Sequence, residues 1–403
     1  MSLRSRGALC ACVAATLLAC MPVLARAANV SSGGGPVMHS QRVHLIFWQP
    51  AGSGLVFESG YEQTIETFID RVVAADHSTS NLFGLMGQYY DQSGPAAYDV
   101  SFAGAILDAE PLPTDSGSTC SEPLPPPQGT GPPGWNSCVD DGAIQAEIAR
   151  VIRAKHLPTG LKDVYFMITP DGLGSCFGSG PSECADGGDA NDGYCGYHSA
   201  TGAPGIVYAV IPYNALAGHC QSTNPRPNGS TADPAISTIS HELAESATDP
   251  LGDAWTDDSG NEIADLCITN YGPAIGGSGD TRYDEVIDGG HYWIQELWSD
   301  FSGACEPAAE PDRASFSVLA RVQSQRGVTV TLAARARDPE GRIASYYWTF
   351  GDGQAATSYG VHVSHVFKRA GRYTIVLRTT DTWGNWAFAT RRVHVAQANR
   401  GGS

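Results

Sequence analysis

Eight cysteines lie between residues 120 and 305, and none follows in residues 306–403. Cys120, Cys138, Cys176, Cys184, Cys195, Cys220, Cys267 and Cys305 form an even set, which in an oxidising compartment reads as a disulfide framework. Order along the chain favours Cys120–Cys138 and Cys267–Cys305, with the middle four pairing among themselves. The alternative, a cysteine-rich zinc site, lacks any Cys-x-x-Cys pair to build on. A cross-linked body and a cysteine-free tail are therefore expected to fold as separate units. Charge divides at the same place: residues 28–312 carry 8 basic and 38 acidic groups, whereas residues 313–403 carry 13 basic and 4 acidic ones.

Three further cysteines, Cys10, Cys12 and Cys20, fall in an N-terminal segment that reads as an export signal. Arg4 and Arg6 form a charged start, Ala8 to Ala19 an apolar run, and Ala25-Arg26-Ala27 a small-residue cleavage site. The expectation is a signal peptide over 1–27 and a secreted or periplasmic product, the alternative being a lipid anchor at Cys20. No later stretch has the eighteen or so apolar residues of a membrane-spanning helix. The formal net charge of −18 argues against a nucleic-acid partner, which requires clustered Lys and Arg. An acidic body favours solubility and cation binding instead.

Two domains are expected, at 41–306 and 313–397, with the boundary marked by Pro307, Pro311 and the charge reversal between them. Within the first, Pro111 to Gly134 and residues 171–205 read as loops. Val43 to Trp48, Val164 to Thr169 and Ile206 to Tyr213 read as buried strands. Tyr61 to Ala75 and Ala143 to Lys155 carry apolar residues at helical spacing. Ala235 to Ala247 is a third helix, with Asp233 as N-cap and Pro234 at the first helical position. The first domain is thus expected to be α/β or α+β, and the second all-β.

The third helix carries the chemistry. Ile236, Ile239, Leu243 and Ala247 define an apolar face, and His241 and Glu245 fall on the other side, within about 40° of each other. A His-Glu pair opening such a helix, with a second ligand four residues after the His, is the arrangement of a zinc peptidase helix. His241 and Glu245 would bind zinc and Glu242 would act as general base. Glu245 stands where a second His is usual, and a carboxylate is an acceptable zinc ligand. For the third ligand, Glu262 and Asp265, read as lying one turn apart on a second helix, are favoured over Asp249, which an unbroken helix would carry about 12 Å along its axis, although Pro250 could turn the chain back there.

The series Ser240-His241-Glu242-Leu243-Ala244-Glu245-Ser246-Ala247-Thr248-Asp249-Pro250, then Glu262-Ile263-Ala264-Asp265-Leu266-Cys267, resembles the EXORDIUM / phosphate-induced-protein family. Gly87-Gln88-Tyr89-Tyr90-Asp91, Tyr194-Cys195-Gly196-Tyr197-His198, Val207-Tyr208-Ala209 and Gln295-Glu296-Leu297-Trp298 extend the likeness over about 43–306. The resemblance implies an extracellular protein with a zincin-like α+β fold, and it supplies no substrate.

In the tail, Trp348-Thr349-Phe350-Gly351-Asp352-Gly353, His365-Val366-Phe367, Ala370-Gly371-Arg372-Tyr373 and Asp381-Thr382-Trp383-Gly384 sit among alternating strands. They resemble a PKD domain, an immunoglobulin-like β-sandwich whose aromatic residues are expected in the core. Three weaker signals accompany these. Asp186, Asp189, Asn191 and Asp192 form an acidic loop that misfits the spacing of a calcium loop. Tyr271, Tyr283 and His291 are candidate oxyanion stabilisers. Asn228-Gly229-Ser230 is a glycosylation sequon. The expected function is a zinc-dependent hydrolase, most plausibly a peptidase, with Ile206 to Tyr213 pairing an extended substrate and an extracellular protein or cell-surface polymer as partner. The alternative is a non-catalytic extracellular binding or signalling protein.

Overall fold

The computed structural model describes residues 30–78, 80–114, 135, 137–178, 183–185, 193–202, 205–216, 220, 223–300, 302–308, 313–324, 326–337, 343–381 and 386–396. The expected signal peptide, Cys120, the Asp186–Asp192 loop and Trp383-Gly384 lie outside the described residues. No described helix is long and apolar enough to cross a membrane.

The cysteine-bearing part is organised by a five-stranded sheet. Its strands are β1 (Gln41–Trp48), β2 (Val100–Asp108), β4 (Asp163–Ile168), β6 (Tyr197–Ala200) and β7 (Val207–Ile211), in the order β2-β1-β4-β7-β6. All neighbours are parallel except β6, which runs antiparallel to β7 along one edge. A second, parallel pair joins β3 (Ser137–Asp140) to β5 (Leu173–Cys176).

Alternation along the central strands divides their side chains between two cores. Val43, Leu45, Phe47, Val164, Phe166, Val207, Ala209 and Ile211 join one, while Ile46, Trp48, Tyr165, Met167, Tyr208 and Val210 join the other. Strands covered on both faces must read as continuous apolar runs, and these do. Helix α1 (Tyr61–Ala74) brings Ile65, Phe68, Ile69 and Val72 to the first core, and α3 (Asp233–Thr248) brings Ile236, Ile239, Leu243 and Ala247. Helix α2 (Asp141–Lys155) covers the opposite face with Ile144, Ile148, Val151 and Ile152.

Several expectations need correction. Residues 171–205 are not all loop, because β5 and β6 lie within them. The strand read for substrate pairing, β7, is bonded on both sides, by β4 and β6, and so has no free edge. Asp233 does not cap α3; that position is Ala232. Asp233 sits in the first turn and accepts hydrogen bonds from the backbone N–H of Asn228 and Ser230 and the side chain of Asn228. Helix α3 is buried all round, the side that carries His241 and Glu245 included: every residue from Asp233 to Thr248 is buried.

Disulfides Cys176–Cys184, Cys195–Cys220 and Cys267–Cys305 are formed, in keeping with the pairing favoured by order along the chain. Cys138 is also disulfide-bonded.

The tail folds into two sheets. One contains β8 (Arg313–Ser324), β9 (Gly327–Arg337) and β12 (His362–Phe367). The other contains β10 (Ile343–Thr349), β11 (Ala355–Ser358), β13 (Gly371–Asp381) and β14 (Trp386–Val395). Trp348, Phe350, Phe367, Ile375 and Leu377 fill the space between them, so the expected aromatic signatures serve as core.

Candidate metal centre

The site is assembled around α3 by three segments that sequence spacing does not connect. Edge strand β6 contributes His198. It lies opposite Ala209 in the ladder, and opposed residues share a face. Ala209 belongs to the core on the α3 side, so His198 is turned toward that helix. Gly196 makes the approach possible: a Cβ there would lie 2.5 Å from Thr238 Cγ2 and 3.1 Å from Glu242 Oε1.

The second segment is the turn at 262–268. A second α-helix was expected here, but only a short 3₁₀ turn, Asp265–Cys267, is present. The tighter turn sends the two carboxylates to different places. Asp265 Oδ1 lies 3.5 Å from His241 Nε2, whereas Glu262 Oε1 lies 3.8 Å from His198 Nε2. The turn is held by Glu245, whose Oε1 accepts from the backbone N–H of Ala264 and Asp265, each at 3.0 Å. The third segment supplies Gln295, whose Oε1 is 3.3 Å from His241 Nδ1.

His241 Nε2 is 2.9 Å from Glu245 Oε2. From the same oxygen, His198 Nδ1 lies 3.9 Å away, and it is 3.4 Å from Glu242 Oε2. Two groups of ligating atoms close enough to hold a metal ion result: His241, Glu245 and Asp265, and His198, Glu242 and Glu245. The structure therefore brings together the predicted His241, Glu242, Glu245 and Asp265. Glu262 belongs to neither group. Asp249 also belongs to neither group: its Oδ1 accepts from the N–H of Asp253 and Ala254, its Oδ2 is buried without a hydrogen-bond partner, and its backbone carbonyl lies 3.1 Å from His198 Nε2.

The ring orientations show what the cluster is built to hold. Gln295 Nε2 donates to the Ala264 carbonyl at 2.8 Å. A carbonyl only accepts, so the amide oxygen is the atom facing His241, and His241 Nδ1 carries a proton. In the neutral ring Nε2 is then a lone pair aimed at two carboxylate acceptors. The same reasoning applies to His198, where Nε2 faces the Asp249 carbonyl and Nδ1 faces Glu242 and Glu245. Acceptors confronting acceptors in a buried site require a proton or a cation between them.

The electrostatics agree. Burial alone would pull down the pKa of His198, but Glu262, Glu242 and Glu245 outweigh it and push it up to about 10. His241 is raised well above its ordinary value against the same opposition, by Glu245, Glu242 and Asp265. Burial raises Glu245, and it pushes Glu262 up to about 9 with help from Glu245. Partial desolvation raises Asp265, but its contact with His241 outweighs this and holds it low. The side chain of Asp265 is 38% exposed, against 3% for Glu242 and Glu245, so the cluster meets solvent on the Asp265 side.

Of the candidate oxyanion stabilisers, Tyr271 is close enough to His241 to feel its charge, while burial raises its phenol. Tyr283 and His291 stack on each other instead, with centroids 3.9 Å apart. The amide of Asn228, within the sequon, is engaged with Asp233.

Sequence reasoning assigned no role to His198 or Gln295. The available hint was a histidine two residues after a glycine and three after a cysteine, followed closely by an apolar strand.

Comparison with known proteins divides the chain. The PKD domain family model matches residues 316–395, and this stretch is a PKD domain. The chain is similar to Protein EXORDIUM-like 3 of Arabidopsis thaliana, 34% identical over 145 residues, covering 28% of this chain and 42% of that protein. It is also similar to a microbial collagenase of Vibrio alginolyticus, 31% identical over 105 residues, covering 26% of this chain and 13% of the collagenase. Both matches thus span less than half of the relative. Among solved structures, the PKD1 domain of the Vibrio cholerae metalloprotease PrtV is 27% identical, covering 22% of this chain and all of that domain, with a TM-score of 0.19.

Proposed function

We propose that the cysteine-bearing part is a zincin-like, zinc-dependent hydrolase domain, most plausibly a peptidase, exported with a PKD accessory module. The observation that carries this reading is His241 Nε2 set against Glu245 and Asp265 while Nδ1 is committed to Gln295, a buried arrangement that a divalent cation completes. One imidazole nitrogen and two carboxylates are a donor set zinc accepts. Zinc in such a site supplies Lewis acidity, polarising a carbonyl and lowering the pKa of water.

The chain's own residues do the rest. Gln295 and Ala264 fix the His241 ring. The backbone amides of Ala264 and Asp265 hold one oxygen of Glu245 and leave the other free for the cation. Glu242 follows His241 on the helix and keeps a carboxylate in the cluster, where it serves as the proton acceptor for water. PKD domains also occur in proteases such as PrtV, which is consistent with an accessory module that holds the protein to an extracellular polymer.

The rival is a non-catalytic extracellular protein of the EXORDIUM type. It is favoured by the same cluster if protons take the place of the cation, giving two buried imidazolium–carboxylate pairs. Elemental analysis of purified protein separates the two. Bound zinc that is lost in His241→Ala supports the hydrolase reading. A folded protein that takes up no metal from zinc-supplemented buffer overturns it.

A further inference from the structure

We propose that the cluster is a two-cation centre in which Glu245 is the shared ligand. This deepens the reading above and rests on it. One cation is held by His241 Nε2, Glu245 Oε2 and Asp265 Oδ1, and the second by His198 Nδ1, Glu242 Oε2 and Glu245 Oε2, which leaves Glu242 Oε1 as the proton acceptor for water.

The two halves are built alike. Each histidine commits one nitrogen as a donor to a fixed acceptor, Gln295 Oε1 for His241 and the Asp249 carbonyl for His198. Each then turns its other nitrogen toward the same oxygen of Glu245, from 2.9 Å and 3.9 Å. The remaining oxygen of Glu245 is already taken by two backbone amides, so Oε2 is the atom available to bridge.

An independent observation marks the second half. Glu242 is 2% exposed, and its Oε2 accepts no hydrogen bond although it faces His198 at 3.4 Å. A buried carboxylate oxygen left without a hydrogen bond keeps the cost of its desolvation uncompensated. A cation beside it offsets that cost. The mixed nitrogen–oxygen donor set selects a first-row divalent ion of the zinc or manganese class. Paired cations sharing a carboxylate suit hydrolysis, because one can organise the attacking oxygen and the other the leaving oxygen.

The full-length protein, stripped with chelator and dialysed, is titrated with Zn²⁺ alone and with Mn²⁺ alone. Bound metal is counted after gel filtration. Two equivalents are expected, falling to one in His198→Gln and to none in Glu245→Gln. With two equivalents of Mn²⁺, the wild-type protein should show the broadened paramagnetic resonance spectrum of a coupled pair rather than the six-line signal of isolated ions. That measurement needs no variant to fold. One equivalent that His198→Gln leaves unchanged overturns this inference while sparing the hydrolase reading. Zero equivalents overturns both. Two equivalents with an uncoupled spectrum, unaffected by His198→Gln, places the second ion elsewhere and overturns the inference.

Discussion

Gln295 is the residue that decides which nitrogen of His241 faces the carboxylates. Its amide is clamped between the Ala264 carbonyl and the His241 ring, and its own backbone N–H donates to Ser237 Oγ at 3.4 Å. Gln295→Leu keeps the volume but removes the acceptor, freeing the ring to change tautomer. Affinity for Zn²⁺ should fall by about 10–100-fold, the usual result of removing such a supporting contact. Chelator competition measures it, and an unchanged affinity would show that Gln295 does not orient the ring.

Glu242 and Glu245 should respond differently to the same amide substitution. Glu242→Gln keeps the cation held by His241, Glu245 and Asp265 but loses its proton acceptor, so hydrolysis should drop by roughly 10²–10⁴. Glu245→Gln should lose metal, since an amide is a poorer ligand than a carboxylate. Metal content and cleavage of a casein substrate, measured on both variants, test the assignment. Loss of metal from the Glu242 variant with retention in the Glu245 variant would reverse it.

Gly196 is required for its lack of a side chain. Gly196→Val would place atoms against Thr238, Glu242 and the Val210 carbonyl, and only Thr238 and Glu242 can yield. Overpacking of this kind typically costs about 1–3 kcal/mol. Because the strain falls between β6 and α3, uptake of metal should suffer along with the urea midpoint. A stable variant with full metal uptake would mean that β6 has room to retreat.

Stability should also decline at alkaline pH through Asp284 and Glu285, whose carboxyls burial pushes up to about 7 and about 8. Both pKa values are raised in the folded state, so the stabilising contribution is complete below the unfolded values near 4. It is lost as pH rises through 7 and 8. Glu285→Gln should therefore leave the protein more stable than wild type at pH 9, by an amount on the order of a few kcal/mol, and little changed at pH 4. Denaturant unfolding at the two pH values gives the comparison. A variant that is equally destabilised at both has lost packing instead.

The cysteine-bearing part and the PKD domain are expected to separate under limited proteolysis, with cleavage near 306–313 and a surviving basic fragment of about 90 residues. Mass spectrometry of the fragments reads the cut. Preferential cleavage within 316–395 would argue against the boundary.

What could be read in advance follows from how local each signal was. Helix α3 was legible because its apolar spacing and Pro234 are contained in one short window, and strands β1, β4 and β7 because parallel strands covered on both faces are continuously apolar; the alternating β2 and the short edge strand β6 were not read. The PKD strands alternate, and their turn residues punctuate them. His198 was not legible, since its orientation is fixed by the antiparallel register of β6 on β7, a relationship no spacing encodes. The parting of Glu262 from Asp265 was missed for a related reason. Helical spacing sets residues three apart on one face, but the chain here makes a 3₁₀ turn pinned at Ala264 by a carboxylate 19 residues earlier, at Glu245.

The cluster draws on residues from 198 to 295, and two disulfides tie down the segments that bring them in: Cys195–Cys220 beside β6 and Cys267–Cys305 beside the Asp265 turn. The consequence is one of timing. A nascent or reduced chain should carry the helix that bears His241 without the cross-links that fix its surroundings. Assembly of the cluster is thereby tied to oxidation of the two cysteine pairs that flank its segments.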